Sequence, residues 1–138
     1  MKNRIVLITG GASGIGKAMV RMFADRGCQV IIFDVQDDKG EVLAKELCDQ
    51  RKKVVYKHVN LFDIDEIKSA YTWIKEQFGK LDYAMNNAGF GIPAKPLDEC
   101  TSEEVNKVIG ICLIAVTNCM IEEIKIMKEN GFGRIVNT

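Results

Sequence analysis

Histidine is all but missing from this sequence, and proline is scarce: His58 stands alone, and there are 2 prolines in 138 residues. A lone imidazole makes neither a zinc centre nor a triad, both of which need several partners. No metal site is expected, and His58 reads as an ordinary polar contact near a strand end. The cysteines, Cys28, Cys48, Cys100, Cys112 and Cys119, are odd in number and none is spaced as CxxC. That excludes a zinc ribbon and argues against a disulfide framework; it suits reduced, partly buried thiols in the cytoplasm. Charge of either sign is not in excess, with 19 basic and 19 acidic residues spread along the chain. A nucleic-acid or anionic-membrane partner is therefore not expected. The apolar run near the amino terminus, Ile5–Ile8, is too short for a secretory segment or a membrane span.

What is present is a regular alternation. At 138 residues, with 47% hydrophobic and 28% charged residues, the chain is long enough for one domain with a real core. Short β-branched runs predict strands over 4–8, 29–33, 53–59, 81–85 and 134–137. Amphipathic patterns predict helices over 13–26, 37–49, 63–78 and 101–130, with Gly27, Gly79 and Gly131 as stops. Asp63-x-x-Glu66 and Thr101-x-x-Glu104 resemble capping boxes. Both prolines fall in 90–100, which reads as a loop. Strands alternating with helices predict βαβ units, right-handed crossovers and a parallel sheet. Apolar strands of this kind suit a sheet covered on both faces.

The first strand runs directly into Gly10-Gly11-Ala12-Ser13-Gly14-Ile15-Gly16 and then a helix. Glycines permit a tight turn and close backbone approach. The helix start offers free N–H groups and a positive dipole end to a pyrophosphate, and Ser13 adds a hydroxyl. The second strand ends in Asp34, where a carboxylate accepts hydrogen bonds from the adenosine ribose hydroxyls and repels a 2′-phosphate. Strand, glycine turn, helix, strand and acid together read as a Rossmann-type dinucleotide site, with NAD favoured over NADP. The expected fold class is α/β: a doubly wound parallel sheet in one domain, residues 1–138, truncated after its fifth strand.

Thr9-Gly10-Gly11-Ala12-Ser13-Gly14-Ile15-Gly16, Asp34, Asn86-Asn87-Ala88-Gly89 and Gly133-Arg134-Ile135-Val136-Asn137 stand in the order and spacing of one family. The sequence resembles the short-chain dehydrogenases/reductases over its whole length. The resemblance implies NAD(P)-dependent oxidoreduction of small alcohols and carbonyls. It assigns the cofactor's phosphates to Gly10, Ser13, Gly14, Ile15 and Gly16, and its ribose to Asp34. Asn60 and Leu61 fall beside the adenine, in place of the family's Asp-Val, and Asn87, Ala88 and Gly89 line the cofactor. Asn86 would instead tie strand ends together.

Two departures stand out. Cys112 occupies the position of the family's active-site Asn, and a thiol is a poor hydrogen-bonding substitute. The family's catalytic Ser and Tyr-x-x-x-Lys would lie beyond Thr138, so no catalytic residue is assigned within the chain. Tyr71-Thr72-Trp73-Ile74-Lys75 matches Tyr-x-x-x-Lys by letters only. It precedes Asn86-Asn87-Ala88-Gly89 and sits on a helix remote from the strand ends where ligands bind. The expectation is the amino-terminal portion of an NAD-dependent enzyme, binding NAD weakly and turning nothing over by itself. The alternatives are a non-catalytic NAD-binding or regulatory protein, which Cys112 favours, and a structural oligomerisation module. The last leaves the glycine loop and Asp34 unexplained. Val108–Ile121 is apolar almost all round, which predicts a helix, within 101–130, buried on more than one side: one side meets the sheet, and for the other the resemblance implies a partner subunit, or nothing in a truncated chain. The exposed fifth strand adds an expectation of self-association.

Overall fold

The computed structural model describes all residues, Met1–Thr138. The strands are β1 (Ile5–Thr9), β2 (Gln29–Asp34), β3 (Lys53–His58), β4 (Tyr83–Asn86) and β5 (Arg134–Asn137). The helices are α1 (Gly14–Asp25), α2 (Asp37–Asp49), α3 (Ile64–Phe78), α4 (Ser102–Ile109) and α5 (Val116–Glu129). All pairings are parallel, in the order β3-β2-β1-β4-β5. The expected α/β sheet is thus found. The chain winds outward from β1 to β3, then returns to the other side of β1 for β4 and β5. That reversal opens a crevice above the carboxyl ends of β1 and β4.

Strand alternation divides the core between the two faces. Ile5, Leu7, Ile31 and Phe33 point to one side and join α3 and α5 through Ile67, Tyr71, Ile74 and Ile126. Val6, Ile8, Val30 and Ile32 point to the other and join α1 and α2 through Val20, Leu43 and Leu47. β1 is buried along its whole length, which explains why its run is apolar without alternation. Gly27, Gly79 and Gly131 all carry positive φ at the predicted helix ends.

Four expectations are corrected. β2 runs one residue beyond the expected 29–33 and ends in Asp34, where the acid is expected. β4 begins two residues late, at Tyr83, because Asp82 turns its side chain back onto β1. Its Oδ2 accepts the Ile5 N–H at 2.8 Å, while Arg4 and Lys80 pair with the same carboxylate. The 63–66 segment is only half a capping box. Asp63 accepts from the Asp65 and Glu66 N–H groups, but Glu66 spends its carboxylate on the Asn60 N–H at 2.7 Å. The Thr101–Glu104 box is complete.

The fourth correction is the largest. The single helix expected over 101–130 is interrupted by a π-helical segment, Gly110–Ala115, between α4 and α5. The wider turn adds backbone within this segment, which contains Cys112. Gly110 opens it, and a Cβ there would lie 2.9 Å from the Phe62 ring. Ile111, Ala115 and Cys119 are buried towards the sheet, whereas Leu113, Ile114, Ile121 and Ile124 are exposed.

Candidate functional site

The crevice above β1 and β4 holds a cavity of about 460 Å³. Its floor is the glycine turn after β1. Gly10, at φ +65, leaves room for β4's continuation: a Cβ there would sit 2.8 Å from the Ala88 Cα. Gly14, at φ +52, faces open space. Gly16 does not line the cavity; it packs beneath the turn, where a Cβ would overlap the Gly10 carbonyl oxygen. Of the residues that the resemblance assigns to the phosphates, Gly16 is thus the one that sits under the turn and does not face the cavity.

Ser13 is the N-cap of α1 in extended conformation, but its side chain makes no capping bond. Its Oγ instead accepts from Gln36 Nε2 at 3.4 Å. The amino end of α1 therefore meets the cavity without a side-chain cap, beside Ser13, Gly14 and Ile15. An anion is the group that such an end takes best.

Asp34 borders the cavity and is 7% exposed. One carboxylate oxygen accepts the Ala12 N–H at 2.9 Å, and the other accepts from Val35 at 2.8 Å and Gln36 at 3.0 Å. These bonds lock the acid to the glycine turn and leave acceptor capacity for further donors. Its strand end is braced from β3. Tyr56 Oη lies 2.9 Å from the Asp34 carbonyl and 2.6 Å from Asp37 Oδ1, and His58 Nδ1 lies 2.8 Å from the same Asp37 oxygen. The Tyr56 and His58 hydrogen bonds hold the Asp37 carboxyl below its ordinary pKa. His58 is the polar contact that its isolation in the sequence suggests.

The far wall is Asn60, Leu61 and Phe62. Asn60 Oδ1 already accepts the Phe62 N–H at 3.1 Å, so one lone pair is committed to the loop. Opposite lie Asn87, Ala88 and Gly89. Thr9 Oγ1 accepts from the Asn87 and Ala88 N–H groups at 3.0 Å each, and Asn87 Nδ2 donates to the Thr9 and Gly10 carbonyls. Thr9 thus ties the β1 turn to the β4 turn.

Every other residue assigned from the sequence to the cofactor borders this one cavity. Gln36, Phe62 and Ile111 border it as well and carry no signal in the sequence beyond adjacency to the motifs; Phe90, from the loop over 90–100, borders it too. Cys112 lies just outside, its thiol 3.8 Å from the Phe90 carbonyl oxygen. Tyr71 and Lys75 do not act together: Tyr71 is buried on Glu123, and Lys75 pairs with Glu129 at the surface. No cluster of three or more metal-ligating side chains is present, and no helix is long and apolar enough to cross a membrane.

The sequence profile of the short chain dehydrogenase family matches residues 4–138. Short-chain dehydrogenase reductase 3b of Arabidopsis thaliana is 34% identical over 100% of this chain and 53% of its own length. Among solved structures, 3-ketoacyl-(acyl-carrier-protein) reductase from Brucella melitensis, complexed with NADH, superposes with a TM-score of 0.88 at 28% identity. It covers 94% of this chain and 52% of that one. The alcohol dehydrogenase from the archaeon Thermococcus sibiricus, complexed with 5-hydroxy-NADP, gives a TM-score of 0.90 at 27% identity, covering 97% and 57%. The chain spans about half the length of the curated relatives it matches.

Proposed function

The chain belongs to the short-chain dehydrogenases, an oxidoreductase family that works with nicotinamide cofactors, and we propose that residues 1–138 form the NAD-binding domain of such an enzyme, acting on a small alcohol or carbonyl substrate. The single observation that carries this reading is the joint geometry of the uncapped α1 start and the Asp34 carboxylate on one cavity. A dinucleotide has an anionic middle and a ribose diol, and the two features offer one partner to each. Ser13, Gly14 and Ile15 would hold the pyrophosphate, Asp34 the ribose, and Asn60 and Leu61 the adenine. Asn87, Ala88 and Gly89 would border the nicotinamide half. NAD, when bound, would supply a hydride acceptor; this chain's residues would bind and orient it, with Phe90 and Ile111 bordering the same cavity.

NAD is favoured over NADP on charge. A 2′-phosphate beside Asp34 would meet a carboxylate already held in place by three backbone N–H groups. Calorimetric titration tests both parts. NAD or NADH is expected to bind at millimolar or lower concentration, and NADP more weakly. Asp34→Asn removes the charge at nearly constant shape, so the NAD-over-NADP ratio is expected to fall by about tenfold, or ~1.4 kcal/mol. No heat from NAD or NADH at millimolar levels would overturn the reading for this chain.

Cys112 supports a second reading, a cofactor-binding protein that transfers no hydride. The two separate on the whole protein: NADH formation with a panel of simple alcohols supports the enzyme, and NAD binding without turnover supports the alternative. The exposed Leu113, Ile114, Ile121 and Ile124 side of the long helix supports self-association. The free thiols suit a cytoplasmic setting.

A further inference from the structure

The Asp34 carboxylate is held by backbone on one side of its connection to α2, and that connection is spanned on the other side by one tyrosine. The carboxylate accepts the N–H groups of Ala12, Val35 and Gln36. Two of the three belong to the link between β2 and α2, so the aim of the carboxylate depends on where that link runs. The start of α2 does little to fix it. Gln36 is the N-cap and its side chain makes no capping bond; its Nε2 reaches Ser13 Oγ and Asp34 Oδ1 only at 3.4 Å each.

Tyr56, on the neighbouring β3, closes the link from its two ends. Its Oη lies 2.9 Å from the Asp34 carbonyl oxygen and 2.6 Å from Asp37 Oδ1. One proton serves both acceptors in a three-centre arrangement, and the shorter contact, to a charged oxygen, is the stronger. Burial, with the Asp37 carboxylate beside it, pushes the Tyr56 hydroxyl above its ordinary range, so it remains a donor. The Val59 N–H also donates to the Asp34 carbonyl, at 3.1 Å. The ring passes α2 at Gly40, where a Cβ would lie 2.2 Å from two of its carbons. Glycine is a poor helix former, and its place inside α2 is explained by the room that the ring needs.

We propose that Tyr56 is a positioning residue for the ribose end of the site: its hydroxyl fixes the Asp34–Asp37 link, and the link aims the Asp34 carboxylate at the ribose diol. The proposal rests on the function given above, in which Asp34 takes the ribose. Tyr56 does not border the cavity, whereas Asp34, Val35 and Gln36 do. It therefore reaches a ligand only through them. The consequence is selective. Loss of the hydroxyl loosens the grip on a ribose diol and leaves the rest of the site in place, because Thr9 and Asn87 hold the glycine turn to the end of β4.

The test is a calorimetric titration of the parent chain and of Tyr56→Phe, which keeps the ring against Gly40 and removes only the hydroxyl. Two probes are used: NAD, and its analogue lacking the 2′ and 3′ hydroxyls of the adenosine ribose. The parent is expected to bind NAD about tenfold more tightly than the analogue. In Tyr56→Phe, NAD affinity should fall about fivefold and analogue affinity should stay as it was. In an Asp34→Asn background the same substitution should have little further effect on NAD, as for two residues acting through one contact. Amide hydrogen exchange gives a readout without ligand: the Val35 and Gln36 N–H groups should exchange faster in Tyr56→Phe, and those of Asn87 and Ala88, held by Thr9, should not. An equal loss for both probes, the result expected of a merely structural tyrosine, overturns the proposal. So does an unchanged NAD affinity, a loss that persists in full in Asp34→Asn, or unchanged exchange at Val35 and Gln36. Any of these with NAD still bound by the parent leaves the proposed function standing and removes only the role of Tyr56. No binding of either probe by the parent overturns both.

Discussion

Gly16→Ala is expected to lower stability by about 3 kcal/mol and the melting temperature by roughly 10 °C, and to remove NAD binding. The added methyl would overlap the Gly10 carbonyl oxygen and approach Asn87 Nδ2 within 2.8 Å. Both neighbours are anchored. Gly10 donates its N–H to the Phe33 carbonyl at 2.8 Å, and Asn87 is held by Thr9. Relief therefore requires α1 to back away from β1, opening the packing around Val20. Gly14→Ala provides the contrast. No atom lies within 4 Å of its missing Cβ, and the only strain is the positive φ. Its stability loss should be about 1 kcal/mol, with NAD affinity reduced because the methyl stands where the cavity opens. Thermal melts and calorimetry on the pair separate a residue that supports the turn from one that faces the ligand.

Asp82→Ala is expected to cost about 2–3 kcal/mol, although the residue is remote from the cavity. Asp82 is 3% exposed and holds the Ile5 N–H where β1 begins. Removing it strands that amide and the Arg4 guanidinium, which also lies 4.6 Å above the Phe132 ring. The half-exposed position of Arg4 keeps the loss below that of a fully buried pair. Burial pushes the Asp82 carboxyl up, but the Ile5 N–H, Arg4 and Lys80 together outweigh it, and the group sits below its ordinary 3.8. A lowered pKa means stability that is present above about 3.8 and lost as pH falls further. Melts of the parent should therefore collapse in acid, while Asp82→Asn should start lower and show a shallower decline. A parallel fall in both chains would sink the assignment.

The sequence disclosed the strands and helices because their periodicities are unmixed. It disclosed most of the cavity because Gly10–Gly16, Asp34 and Asn87–Gly89 are local motifs that the sheet brings together at its carboxyl edge. What it concealed has a common physical character. Asp82 and Glu123 are acids, one near the start of an expected strand and one within an expected helix, and an acid in either place reads as solvent-facing; only the three-dimensional packing shows what their carboxyls hold. Glu66 looked like half of a capping box, yet it braces Asn60 because that loop turns back over α3. The π segment is invisible for another reason. Ile-Cys-Leu-Ile-Ala-Val is equally apolar in every helical register, so no pattern marks the added residue.

The position of β1 in the sheet bears on how the chain comes to be folded. Its partners on the two sides are β2 and β4, so this strand, made before either partner, has one edge unpaired until Asn86 has emerged. Closing that edge brings together backbone more than 70 residues apart, as the Asp82 N–H donating to the Ile5 carbonyl shows, with a separation of 77. Long-range parallel pairing of this kind is slow. A fully apolar strand left waiting at an open edge is a site for wrong partners. Yield should therefore respond to chaperone supply and to the pace of synthesis between β2 and β4 more than to the final stability of the sheet.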